Sequence, residues 1–206
     1  MNIEITENPI KQQISVEEKL QTAKKFKEEG NNLYKSKNYK MAMGKYHRAL
    51  LYVKGIEEHH QKNNLPSMFY QGNLRQNNTK SLSKNIQEEV KILKADCYNN
   101  LAASLLHQRN VKYEKVIQYC NEVITIKPNN VKALYRKGVS YYNLRDYDQC
   151  LETLQNAKQY LNTKDSNIEQ YIKLSEEHLQ RYKQKERECY KGMFDKLAEV
   201  DLSSSG

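Results

Sequence analysis

Apolar residues recur three and four positions apart through most of this chain, the spacing that gathers them on one face of an α-helix. Val16, Leu20, Ala23 and Phe26 open the first stripe, which continues to Tyr34. Lys35-Ser-Lys-Asn38 interrupts it, and Asn38 is placed to cap a second helix carrying Tyr39, Ala42, Tyr46, Ala49, Leu50 and Val53. Ile86, Val90, Leu93, Cys97, Leu101 and Leu105 predict a third helix. Tyr113, Val116, Ile117, Cys120, Val123 and Ile124 predict a fourth, which must stop before Pro128. Asn130 caps a fifth, with Leu134 and Tyr141 on its face, and Asp146 a sixth, through Tyr147, Cys150, Leu151, Leu154 and Ala157. A last long helix is expected to start at a capping box, Ser166-Asn-Ile-Glu169, and to run to about residue 197. No stretch reads convincingly as a strand, so the fold class is all-α.

Elsewhere the stripe fails. Residues 1–15 are polar, include Pro9, and read as a flexible N-terminal tail; 198–206 reads as a second one. Residues 55–82 contain Asn63-Asn64, Pro66, Gly72 and Asn77-Asn78, which is loop chemistry, and are expected to form an insertion. Within it, Leu65, Met68, Phe69 and Tyr70 are read as padding for the neighbouring helices, with docking on a partner left as the alternative.

The helices fall into a repeating pair. Phe26-x3-Gly30…Ala42-x3-Tyr46-x2-Ala49 is matched by Tyr98-x3-Ala102…Val116-x3-Cys120-x2-Val123 and by Leu134-x3-Gly138…Cys150-x3-Leu154-x2-Ala157. Gly30, Ala102 and Gly138 hold one slot, where a small residue lets two helices approach closely. Ala102 and Gly138 are 36 residues apart, a 34-residue period with two extra residues in the turn near Val111. Gly30 and Ala102 are 72 apart, the same period plus a 38-residue insertion. A 34-residue helix-turn-helix period is the tetratricopeptide (TPR) signature. The expectation is a TPR solenoid of three repeats over 16–163, with the insertion in or after the first, closed by a capping helix over 164–197. The repeat-ending proline survives only at Pro128.

In such a stack the first helix of each repeat lines one concave surface. Lys27 and Asn31 share a face of the first repeat's helix, as do Lys132 and Arg136 in the third; Asn100 lies in the second. Two carboxylates at a chain terminus need clustered cations and amide donors, and these residues supply both. The five positions resemble the dicarboxylate clamp of co-chaperone TPR domains, which hold the acidic C-terminal EEVD tail of Hsp90 and Hsp70. The resemblance implies that Lys27, Asn31, Asn100 and Lys132 hold the terminal carboxylate and last aspartate, and that Arg136 reaches further up the peptide. Tyr46-His-Arg-Ala-Leu-Leu51, Asp96-Cys-Tyr-Asn-Asn-Leu-Ala-Ala103, Lys132-Ala-Leu-Tyr-Arg136 and Asp146-Tyr-Asp148, with the insertion, are similar to the tetratricopeptide repeat protein 9 family, most nearly its C type, over roughly 19–195. Glu186-Arg-Glu-Cys-Tyr190-Lys-Gly-Met-Phe194 resembles the helix after the TPR domain of large FK506-binding immunophilins. That likeness implies a chaperone-contact role for Tyr190, Met193 and Phe194.

Charge and composition sharpen this picture. The net +9 invites a polyanion, yet +6 lies in residues 23–53 and +5 in 91–163, inside the repeats. There is no Lys/Arg run of five and no aromatic RNA-binding motif, so nucleic acid is set behind an acidic peptide. A TPR scaffold for some other acidic C-terminal partner stays open. Seven glycines and three prolines are too few for a turn-rich β-fold. Cys97, Cys120, Cys150 and Cys189 are 23 or more residues apart and the five histidines form no metal spacing, so neither zinc nor a disulfide framework is expected. Cys120 and Cys150 fall on packing slots. With no phosphate loop, nucleophile motif or paired acid and base, the expectation is a non-enzyme without cofactor or metal. No apolar run is long enough to span a membrane. A monomer in the cytoplasm, with the nucleus open to it, completes the reading.

Overall fold

A computed structural model of the chain describes residues 14–63 and 83–203, with side chains over 14–58 and 83–193. Among these residues there are seven helices and no strand: α1 (Val16–Lys35), α2 (Tyr39–Asn63), α3 (Lys84–Leu106), α4 (Tyr113–Ile126), α5 (Val131–Asn143), α6 (Tyr147–Gln159) and α7 (Ser166–Ser203). Several helices start where a side chain satisfies orphan amides of the first turn, whereas α4 starts after Lys112 without a side-chain cap. The Asn38, Asn130 and Asp146 side chains accept from the backbone amides of Met41, Ala133 and Gln149, at 3.4, 3.0 and 3.3 Å.

The capping box expected at α7 is found instead at α1. Glu18 N–H donates to Ser15 Oγ at 3.1 Å, and Ser15 N–H donates to the Glu18 carboxylate at 2.9 Å. At α7 the cap is Asp165, whose carboxylate accepts from the amides of Asn167 and Ile168 at 2.9 and 3.3 Å. A charged acceptor one residue earlier displaces the serine hydroxyl. Two helix ends also differ from expectation. α2 continues to Asn63, because Ile56 extends the Ala49–Val53 stripe and is 1% exposed. α7 continues to Ser203. Most of the expected N-terminal tail, and Leu65, Met68, Phe69 and Tyr70, lie outside the described residues.

The chain divides into two compact units, residues 1–97 and 98–206, the division falling inside α3. In the first, Leu20 and Ala23 of α1, Ala49, Val53 and Ile56 of α2, and Val90, Leu93 and Cys97 of α3 form one buried core, flanked by Phe26 and Tyr52. In the second, Leu134 of α5, Cys150, Leu154 and Ala157 of α6, and Ile168 and Ile172 of α7 form another, rimmed by Tyr135, Tyr141, Tyr142 and Tyr171. Tyrosine rings do here what aliphatic residues do in less polar chains, packing their apolar bodies, and burial raises the hydroxyls of Tyr135, Tyr141 and Tyr142 above their ordinary pKa.

The first and third repeats turn between their helices in the same way. Lys37 and Arg145 take left-handed φ of 61° and 64°. Their amides donate to the carbonyls of Tyr34 and Tyr142 at 2.9 and 3.0 Å. The next residue, Asn38 or Asp146, caps the following helix. Edge-on tyrosine pairs brace both turns, Tyr34 with Tyr39 at 5.3 Å and Tyr142 with Tyr147 at 5.6 Å between ring centres. Such a φ disfavours a side chain by about 1 kcal/mol or more, and the aromatic brace offsets it.

Candidate functional site

In the first unit α1 presents Lys27 and Asn31 one turn apart. Lys27 Nζ lies 3.1 Å from the Asp96 carboxylate of α3, with side chains 28% and 39% exposed. Asn31 Oδ1 accepts from the Tyr46 hydroxyl of α2 at 3.0 Å. Tyr46 is 1% exposed, and its ring packs where a Cβ on Gly30 would stand, 2.6 Å from that position. The missing side chain at Gly30 thus lets Tyr46 reach Asn31 and fix its amide. Around them Lys24 pairs with Glu89 at 2.6 Å, Lys45 with Glu29 at 2.5 Å and Lys94 with Glu57 at 3.2 Å. The hydrogen bond from Lys45 holds the Glu29 carboxyl below its ordinary range.

In the second unit α5 presents Lys132 and Arg136, also one turn apart. Lys132 is exposed and Arg136 half-buried, its guanidinium donating to Asn99 Oδ1 on α3. Asn100 is half-buried beside it in sequence. Asn100 and Arg136 occupy the same repeat slot, two residues before Ala102 and Gly138. Each is followed four residues later by a fully buried serine. Ser104 Oγ donates to the Asn100 carbonyl at 2.8 Å, and Ser140 Oγ to the Arg136 carbonyl at 2.7 Å. The serines satisfy their hydroxyls within their own helices, so a polar face and a packed face share each turn.

Sequence reasoning named Lys27, Asn31 and Arg136 and missed the groups that hold them, Asp96, Tyr46 and Asn99. The repeat register carries a signal for Asp96 and Asn99. Asp96 is six residues before its small slot, as Lys132 is, and Asn99 three before, as Lys27 is. Farther along, every residue of α7 from Gln180 to Met193 is exposed, including Tyr190 at 53% and Met193 at 52%. The Phe194 side chain lies outside the described residues. His178, deeper on α7, stacks flat on Tyr147 at 4.5 Å.

Burial pushes the thiols of Cys97 and Cys120 up to about 12, and that of Cys150 upward as well. Such thiols stay protonated near neutrality and serve as core atoms. Among the described residues no three His, Cys, Asp or Glu side chains gather as a metal site.

No family model matches the chain. It is 36% identical over 180 residues to tetratricopeptide repeat protein 9C of Xenopus tropicalis, covering 87% of this chain and 96% of that protein. It also matches FK506-binding protein 59 of Drosophila melanogaster at 31% identity over 91% of its own length, but spans only 36% of that longer protein. Among solved structures, the C-terminal TPR-containing domain of a Plasmodium falciparum FK506-binding protein superposes with a TM-score of 0.64 at 26% identity, covering 82% of this chain and 96% of that one. The first TPR of Spaghetti (RPAP3), bound to the HSP90 peptide SRMEEVD, shares the fold at 13% identity and a TM-score of 0.53, over 77% and 94% of the two chains. With the seven helices among its described residues, these place it among all-α TPR proteins of three repeats and a long capping helix. Resemblance across almost the whole of both chains settles the kinship: this protein belongs to the tetratricopeptide repeat protein 9 family.

Proposed function

We propose that this TPR protein is a non-enzymatic adaptor that binds the acidic C-terminal EEVD tail of Hsp90 or Hsp70 through Lys27, Asn31, Asn100, Lys132 and Arg136. The observation that carries the reading is α5, where an exposed Lys132 stands one turn from an Arg136 already bonded to the Asn99 amide. A guanidinium so held meets a peptide oxygen with less side-chain entropy to lose. A C-terminal aspartate offers two carboxylates. Lys27 and Lys132 answer them, Asn31 and Asn100 add donors without adding cation–cation repulsion, and Arg136 reaches further up the peptide. Each charge-assisted hydrogen bond contributes about 1.5–3 kcal/mol before the cost of ordering the tail. The net expectation is micromolar binding, about −8 kcal/mol. A protein of this fold bound to an HSP90 peptide ending in EEVD supports the choice of ligand. Tyr190, Met193 and Phe194 on the protruding part of α7 are proposed as a further chaperone contact. Such an adaptor would work in the cytoplasm, with the nucleus also open to it.

The decisive comparison is an EEVD pentapeptide as free acid and as C-terminal amide, titrated by calorimetry against the full chain. The free acid should bind and the amide much more weakly. Equal binding of the two overturns the clamp. An RNA ligand with steep salt dependence and no peptide binding would replace it with nucleic-acid recognition. Titrating Hsp90 and Hsp70 tails in parallel then separates the two chaperones.

A further inference from the structure

A carboxylate ligand reaching Lys27 meets another carboxylate already there. Asp96 lies on α3 in the repeat slot that Lys132 fills in the third repeat, six residues before the small residue. The slot that presents a cation in one repeat presents an anion in another. The Lys27–Asp96 contact at 3.1 Å is partly shielded, with side chains 28% and 39% exposed. It is not required to fasten α1 to α3, because Lys24 and Glu89 join the same two helices at 2.6 Å.

Resting on the peptide-binding reading above, we propose that Asp96 is an internal carboxylate that holds Lys27 in the empty protein and competes with the ligand for it. An ammonium has three donors and can bridge two acceptors. The ligand oxygen would nevertheless sit within a few ångströms of Asp96, and like charges at that separation repel. Asp96 thus offsets the Lys27 charge that an incoming anion would otherwise meet in full. The contest sets both affinity and salt response, and it favours a terminus that supplies two carboxylates over a peptide that supplies one.

The test is fluorescence anisotropy with an EEVD free-acid peptide labelled at its N-terminus. Asp96→Asn should bind about threefold to fivefold tighter at low salt, with the advantage shrinking as salt screens it. Lys27→Ala should remove that gain, which a double-mutant cycle reads directly. Glu89→Gln, the same charge change on the same helix, should leave affinity within twofold of wild type. Asp96→Ser provides a second variant, and circular dichroism checks that each is folded. Equal or weaker binding by Asp96→Asn, a gain that persists in Lys27→Ala, or a matching gain in Glu89→Gln overturns the role of Asp96. If wild type separates acid from amide while the Asp96 variants match it, only this inference fails. If no variant binds the free acid, the peptide-binding reading fails and takes the inference with it.

Discussion

The Tyr46 hydroxyl donates to Asn31 Oδ1 at 3.0 Å, linking a fully buried ring to a residue of the proposed clamp. The link depends on Gly30, since a Cβ there would stand 2.6 Å from the Tyr46 Cε1 atom. Packing and recognition therefore share one contact. Tyr46→Phe keeps the ring and releases the amide. Peptide affinity is expected to fall several-fold while the melting temperature moves by only a few degrees, as for one lost hydrogen bond of about 1 kcal/mol. Gly30→Ala should do more, displacing the ring and destabilising the fold by about 1–3 kcal/mol. Thermal unfolding beside peptide titration distinguishes the two. A Tyr46→Phe protein that binds as wild type would show that Asn31 needs no such anchor.

How much of this was legible beforehand follows from what each signal measures. Apolar spacing reports burial, so α1 and α3 to α6 were readable, as were the caps Asn38, Asn130 and Asp146. Repeat arithmetic reports equivalent slots, which made Lys132 and Arg136 visible as a pair. Partners across helices leave no local trace. The repeat register places Asp96 and Asn99 in the slots of Lys132 and Lys27, yet only the fold shows that they meet Lys27 and Arg136. At the start of α7 two candidate caps adjoin, and the carboxylate of Asp165 prevails over Ser166 through two backbone amides.

The end of α2 offers a stability test. The insertion is expected from residue 55 onward, yet Ile56 is 1% exposed and belongs to the first unit's core. Ile56→Ala should cost about 2–4 kcal/mol, the range for a large-to-small change at a buried site. The denaturant midpoint should drop accordingly. A change below 0.5 kcal/mol by the same measurement, the scale of ordinary surface substitutions, would place Ile56 outside that core.

Charge reversal at Lys132 tests recognition without touching the core. Lys132 is exposed and forms no ion pair among the described residues, so Lys132→Glu should leave the melting temperature within a degree or two. The same change should remove most EEVD affinity, tenfold or more by the order of magnitude of a lost charge-assisted bond. Arg136→Ala should act similarly and additionally leave Asn99 without its guanidinium. In wild type the logarithm of affinity should decline with the logarithm of salt, and Lys132→Glu should flatten that slope. Retained affinity in both variants would remove α5 from the site.

The buried thiols set an alkaline limit on stability. Cys97 and Cys120 rise from an ordinary 9.0 to about 12 because burial disfavours the thiolate. The unfolded chain releases these protons near pH 9, whereas the folded chain keeps them until about pH 12. Between those values the unfolded state binds fewer protons, so stability falls as pH rises; below pH 9 the contribution is complete and flat. Melting temperature should therefore decline above pH 9, and Cys97→Ser, measured against wild type at each pH, should decline less steeply. Accessibility gives the same division. Cys97, Cys120 and Cys150 are buried and Cys189 is exposed on α7. At pH 8 a thiol reagent should modify one cysteine rapidly in the native protein and all four after denaturation. Rapid native labelling of Cys97 or Cys120 would mean that the packing around that thiol opens far more readily than its burial implies.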